Sequence, residues 1–128
     1  MNAAFSRTGK LRILVVEDEA LVAMHLEDTL HALGHEVVAT ASRLPEALEA
    51  ARTATFDAAI IDVNLDGQHS YDVADVLNER RIPFAFATGY GAAGLQERFR
   101  NTPTLAKPFM SSDLERILAQ ALGAGRAD

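Results

Sequence analysis

Several short apolar stretches of this chain end in side chains suited to metal and phosphoryl chemistry. LRILVV runs into Glu17 and Asp18, AAII into Asp62, FAFA into Thr88, and TLA into Lys107. Carboxylates gathered at one place repel one another and raise each other's pKa unless a divalent cation joins them through oxygen ligands. Mg²⁺ is the natural candidate, because it binds through one or two carboxylates and keeps positions open for water and phosphate oxygens. Phosphoryl transfer needs in-line positioning and charge neutralisation more than acid-base chemistry, and Lys107 and Thr88 offer both. A carboxylate can itself be the nucleophile and carry the group as an aspartyl phosphate, which is the role open to Asp62.

This chemistry requires the residues to meet, so the elements that carry them matter. Residues 11–16 form a short apolar run of the kind buried on both faces of a parallel sheet. Val22, Leu26, Leu30 and Leu33 then mark one stripe of a helix, which Gly34 stops. Residues 36–41 return to strand character. Ser42 reads as an N-cap, Pro45 fits a first helical turn, and Ala47, Leu48 and Ala51 form a buried side. Residues 58–63 are the third strand, and 64–70, with Asp66-Gly67, are a turn. Val73, Val76 and Leu77 mark a third helix, and Pro83 opens a strand over 84–88. Gly89, Gly91 and Gly94 loosen the segment after that strand. A last strand over 104–106 precedes Ser112-x-x-Glu115, read as a capping box for a helix carrying Leu114, Ile117, Leu118 and Ala121.

Strands alternating with helices imply right-handed crossovers and an α/β fold: a doubly wound, five-stranded parallel sheet with helices on both faces. The functional crevice of such a sheet lies beyond the carboxyl ends of its strands, where Glu17, Asp18, Asp62, Thr88 and Lys107 all fall. One domain over 11–122 is expected, with a flexible N-terminal segment at 1–10 and a flexible tail at 123–128.

Composition narrows the function. The 128 residues are 48% hydrophobic and 23% charged, and no apolar run nears the roughly 20 residues of a membrane helix. The first ten residues lack the apolar stretch of a secretory signal, so a cytoplasmic protein away from membranes is expected. The net charge of −6 argues against a nucleic-acid partner. The absence of cysteine removes disulfides and thiolate metal sites. His25, His31, His35 and His69 have no supporting carboxylate at a convincing spacing and read as structural or surface residues.

LVVEDE, IIDVN, FATGY and LAKPF together resemble the receiver domain of two-component response regulators. The resemblance implies a flavodoxin-like strand order, 2-1-3-4-5, and Asp62 as phosphoacceptor. It further implies Asp18, Asp62 and the Asn64 main-chain oxygen as Mg²⁺ ligands, Glu17 acting through water, and Thr88 and Lys107 holding phosphoryl oxygens. Lys107-Pro108 resembles a cis peptide of that family. PFAFATGYG further resembles a subgroup of stand-alone alphaproteobacterial receivers without a DNA-binding output. Such proteins take phosphate from a sensor histidine kinase, often of the HWE type, or from a histidine phosphotransfer protein. They then relay it to a downstream protein partner or act as a phosphate sink. The expected chain is no conventional enzyme, yet it catalyses its own aspartyl phosphorylation and dephosphorylation.

Two departures stand out. Thr104 occupies a position where many receivers carry a switch aromatic, and Tyr90, between Gly89 and Gly91, is the expected substitute acting with Thr88. Glu17 replaces the commoner aspartate, a mild change for an outer-sphere role. The alternative function is a phosphate-independent pseudo-receiver that binds partners through its helical surface. A Mg²⁺-dependent phosphatase would want a second aspartate where Asn64 stands, which leaves it no general acid.

Overall fold

Along β1 (Arg12–Val16), Ile13 and Val15 pack into one layer of helices and Leu14 and Val16 into the other, all fully buried. This period of two, repeated in β3 (Ala58–Asp62) and in β6 (Phe84–Thr88), is what a sheet covered on both faces demands. The computed structural model describes residues 9–90 and 94–125. Its sheet runs in the order β2-β1-β3-β6-β7, with β2 at Glu36–Ala41 and β7 at Thr104–Ala106, and every pairing is parallel. The intervening β4 (Asn64–Leu65) and β5 (Gln68–His69) form a separate hairpin, so the main sheet has the expected 2-1-3-4-5 topology.

Helices α1 (Ala20–Ala32) and α4 (Ser111–Gly125) cover the face of Ile13 and Val15 through Leu26, Leu30, Leu114 and Leu118. Helices α2 (Leu44–Thr53) and α3 (Tyr71–Arg80) cover the other face through Ala47, Ala51, Val73 and Leu77. Each fully buried leucine contributes about 2 kcal/mol. β6 is asymmetric: Ala85 and Ala87 admit α4 closely, whereas Phe84 and Phe86 fill the opposite layer. Among the described residues no helix is long and apolar enough to cross a membrane.

The details differ from the sequence expectation in places. Residues 64–70 hold a hairpin rather than a simple turn, with Asp66 at φ 50° and Gly67 at φ 87°. Two successive positive φ values make the tight reversal whose twist suits paired strands, and Asp-Gly tolerates it. Ser42 does not cap α2: the helix starts at Leu44, and the Ser42 N–H and hydroxyl donate to Glu46 Oε1 instead. α4 starts at Ser111, before the expected cap; burial of Phe109 sets Met110 at its entrance, where the Met110 N–H donates to Asp113 Oδ2 at 2.8 Å. It continues to Gly125, so residues 123–125 form its last turn, while 1–8 and 126–128 lie outside the described residues. Between β6 and β7 the described residues include the 3₁₀ turn Glu97–Phe99 and hold no α-helix. Lys107-Pro108 is cis.

His35 is buried at the entry to β2, and its Nδ1 accepts the Leu11 N–H at 3.1 Å. That bond needs a neutral ring with its proton on Nε2. Burial lowers the His35 pKa from its ordinary 6.5, against the opposing pull of Glu115 and of the Gly9 backbone. A depressed pKa means the unfolded chain takes up the proton first, so this contribution is full above the unfolded value and is lost as pH falls below it. Urea unfolding from about pH 7 down to pH 5 should therefore cost the wild type more stability than His35→Gln, which accepts a hydrogen bond but does not titrate. Parallel pH profiles for the two proteins would contradict this role.

Candidate functional site

Because β1, β3, β6 and β7 are parallel, their carboxyl ends share one edge of the sheet, and the candidate residues arrive there together. The Lys107 ammonium stands 2.9 Å from Glu17 Oε1 and 2.9 Å from Asp62 Oδ2. The side chains are 0% exposed for Glu17, 9% for Asp62 and 19% for Lys107, so this triad is largely out of water. Burial pushes the Glu17 carboxyl up to about 7, with Asp62 adding to the rise and Lys107 opposing it. Lys107 is held above its ordinary value although burial opposes this, because its hydrogen bonds to Asp62 and Glu17 favour the ammonium. The Lys107 N–H also donates to the Thr88 carbonyl at 3.0 Å, tying β7 to the end of β6.

The hairpin after β3 leans on the same pocket. Asp62 Oδ1 accepts the Asn64 N–H at 3.1 Å, and Asp18 Oδ2 accepts the Asp66 N–H at 2.9 Å. Asn64 Oδ1 braces the reversal by accepting the Gly67 N–H at 3.1 Å. Ser70, fully buried, donates its hydroxyl to the Asp62 main-chain carbonyl at 2.6 Å and its N–H to Val63 O at 2.9 Å. Sequence reasoning missed Ser70: a serine ahead of a helix reads as a cap, yet here the hydroxyl makes no cap bond and turns to the end of β3.

Glu17, Asp18 and Asp62 each offer a carboxylate oxygen within 4.8 Å of the others. Carboxylate oxygens this close, two of the three groups buried and Asp18 half-buried, fit a hard dication better than they fit one another, which is the chemistry Mg²⁺ requires. Thr88 is buried, and its Oγ1 accepts the Tyr90 N–H at 3.0 Å, which leaves the hydroxyl its own proton to donate. Tyr90 is 87% exposed, and 91–93 beyond it lie outside the described residues. Thr104 pairs with Phe86, and its hydroxyl donates to Thr102 O at 2.9 Å. Of the histidines, His35 is structural, His25 stacks on Phe109 and His69 lies against Tyr71.

The chain is similar in sequence and in fold to known proteins. Residues 13–119 match the model of the response regulator receiver domain. The chain is 36% identical over 107 residues to the transcriptional regulatory protein PdtaR of Mycobacterium tuberculosis, a match covering 80% of this chain and 52% of that protein. It is 36% identical over 114 residues to the phyllosphere-induced regulator PhyR of Methylorubrum extorquens, covering 86% of this chain and 43% of that one. The chain thus spans about half the length of the curated relatives it matches. The solution structure of SdrG from Sphingomonas melonis Fr1 superposes with a TM-score of 0.78 at 46% identity, covering 87% of this chain and 94% of that one. The BeF3-activated conformation of SdrG, described from Pseudomonas melonis Fr1, superposes at 0.76 with 44% identity, covering 87% and 95%.

Lys107 is the cation on which two buried carboxylates depend, and removing one partner of such a pair leaves uncompensated charge. In metal-free buffer, Lys107→Met should lower unfolding stability by about 3 kcal/mol, read from the urea midpoint. An unchanged midpoint would show that the triad is not held by this contact.

Proposed function

The chain belongs to the response regulator receiver family, and we propose that it accepts a phosphoryl group on Asp62 from a phosphohistidine and passes the signal on by protein contact. The observation that carries this reading is Asp62 at the carboxyl end of β3, with one oxygen held by the Lys107 ammonium and the other by the Asn64 N–H. Two donors on one carboxylate fix its orientation for in-line attack. An Asp62 oxygen attacks phosphorus, the N–P bond of the donor breaks, and its electron pair returns to the donor imidazole. Lys107 and the Thr88 hydroxyl then serve the phosphoryl oxygens, where negative charge accumulates.

Asp18, Asp62 and the Asn64 main-chain oxygen would hold Mg²⁺, with Glu17 behind them through water. Bound there, the ion would neutralise phosphoryl oxygens and relieve the repulsion among the carboxylates. The cluster of three carboxylates supports this assignment.

The donor's approach has support in the surface beside the pocket. Leu21, Met24 and Met110 are large apolar side chains left exposed. A groove of about 410 Å³ among Leu21, Val22, His25, Pro108 and Phe109 reaches Lys107 itself. Exposed apolar area at the mouth of a charged site is what a docking helix needs, here the histidine-bearing helix of a sensor kinase or phosphotransfer protein.

Incubation with Mg²⁺ and acetyl phosphate, followed by intact-mass measurement, tests the reading. Wild type should gain the mass of one phosphoryl group, Asp62→Asn should gain none, and Lys107→Ala should react about 100-fold more slowly. Equal labelling of Asp62→Asn and wild type would refute Asp62 as the acceptor.

A further inference from the structure

The loop after Asp62 ends on one aromatic side chain. Ser70 donates its hydroxyl to the Asp62 carbonyl, and the next residue, Tyr71, opens α3. The buried Tyr71 ring stacks flat on Phe99, with centroids 5.2 Å apart and 5° between planes, and meets Phe86 edge-on at 6.0 Å and 82°. Its hydroxyl accepts the Gln96 N–H at 3.1 Å. Arg98 covers the assembly: its guanidinium lies 4.5 Å from the Phe99 centroid and 5.9 Å from that of Tyr71, and it pairs with Asp75 of α3 at 3.0 Å.

Two routes from the acceptor site therefore converge at Tyr71. One is short: the Asp62 carbonyl, the Ser70 hydroxyl, then Tyr71 itself. The other runs along β6, where Phe86 lies two residues before Thr88 and touches both Tyr71 and Phe99. The stretch beyond Tyr71 is weakly built. Residues 96–100 contain one 3₁₀ turn and no strand pairing, and the Tyr71 stack, the Gln96 hydrogen bond and the Arg98–Asp75 pair hold them to α3. Gln96, Glu97, Arg98 and Arg100 are exposed, so any change in this stretch is presented to a partner.

We propose that Tyr71 transmits occupancy of the Asp62 site to residues 96–100, supplying the readout for which Thr104 has no aromatic ring. This rests on Asp62 being the phosphoacceptor. A phosphoryl group brings strong acceptor oxygens that compete for the Lys107 ammonium and the Thr88 hydroxyl. Lys107 is drawn from Glu17, and Thr88 pulls on the end of β6. Close-packed rings change between discrete arrangements rather than yielding gradually, so displacement of Phe86 and of the Asp62 carbonyl is felt at Tyr71 as a repacking. Gln96 and the turn after it then exchange one set of contacts with α3 for another. Tyr90 is a poorer transmitter: at 87% exposure its ring lacks the packing that would register a shift.

NMR of the full chain with Mg²⁺ and beryllofluoride, an acyl-phosphate mimic, tests this. In wild type the amides of Asn64, Lys107 and residues 96–100 should all shift. In Tyr71→Leu, which keeps an apolar side chain but removes both the ring stack and the hydroxyl, the response at Asn64 and Lys107 should persist while the response at 96–100 is lost. Tyr90→Ala should respond like wild type throughout. The proposal is overturned if Tyr71→Leu and wild type respond equally at 96–100, if Tyr90→Ala alone loses that response, or if wild type shifts at Asn64 and Lys107 but not at 96–100. Silence at Asn64 and Lys107 in wild type would instead remove the acceptor reading, and this proposal with it.

Discussion

One ammonium shared between two buried carboxylates organises this molecule. Lys107 must reach Glu17 and Asp62 at once, which requires β7, β3 and β1 to end at the same height on the same edge. The parallel registers from Arg12 to Ala106 deliver that alignment, and the Lys107 N–H to Thr88 carbonyl bond sets the last strand to it. Two acids beside one cation leave the pocket with more negative than positive charge, and burial, with Asp62 adding to it, raises the Glu17 pKa. A site with two carboxylates to one ammonium keeps a negative charge that suits a further cation. Apolar groups of similar volume in place of such a buried ion cluster are often neutral or stabilising, so the triad by itself says little about stability.

The hairpin of residues 64–69 serves the same constraint. Asp62 is buried and Asp18 half-buried, and each has an oxygen that Lys107 does not bind; left without donors, such oxygens would be costly in proportion to their burial. The N–H groups of Asn64 and Asp66 supply them, and the backbone can aim both inward only by reversing at once. Asp66 and Gly67 accept the positive φ values that this reversal needs. Ser70 closes the loop on the far side by returning to the carbonyl of the residue that began it.

Much of this could be read from residues alone, because the signals were local. Strand ends carrying acid, hydroxyl or lysine, with alternating or continuous apolar runs behind them, locate β1, β3, β6, β7 and their site side chains within a residue or so. The features that escaped depended on particular partners rather than on residue type or period. Ser42 and Ser112 resemble caps by type, but α2 and α4 start where the chain's entry and the burial of Phe109 dictate, and acids at Glu46 and Asp113 reach back instead. The bond from Ser70 to Asp62 spans eight residues and has no periodic signature. Tyr71 carries no mark of its role either, since its stacking partner Phe99 lies in a stretch without regular periodicity.

The composition of β6 links these observations. Its alanines face α4 and let that helix settle close, while its phenylalanines build the aromatic layer with Tyr71 and Phe99. Thr88 ends the same five-residue strand, so the hydroxyl at the site and the rings beneath it belong to one rigid ladder. A sheet strand cannot move its tip far without carrying the side chains two residues back, because its backbone bonds are shared with neighbours on both sides. At β7, by contrast, Thr104 spends its hydroxyl on the adjacent turn at Thr102 and has no ring to swing. Motion imposed on Thr88 must then be absorbed where β6 is bulky, and in this chain that is the face of Phe86.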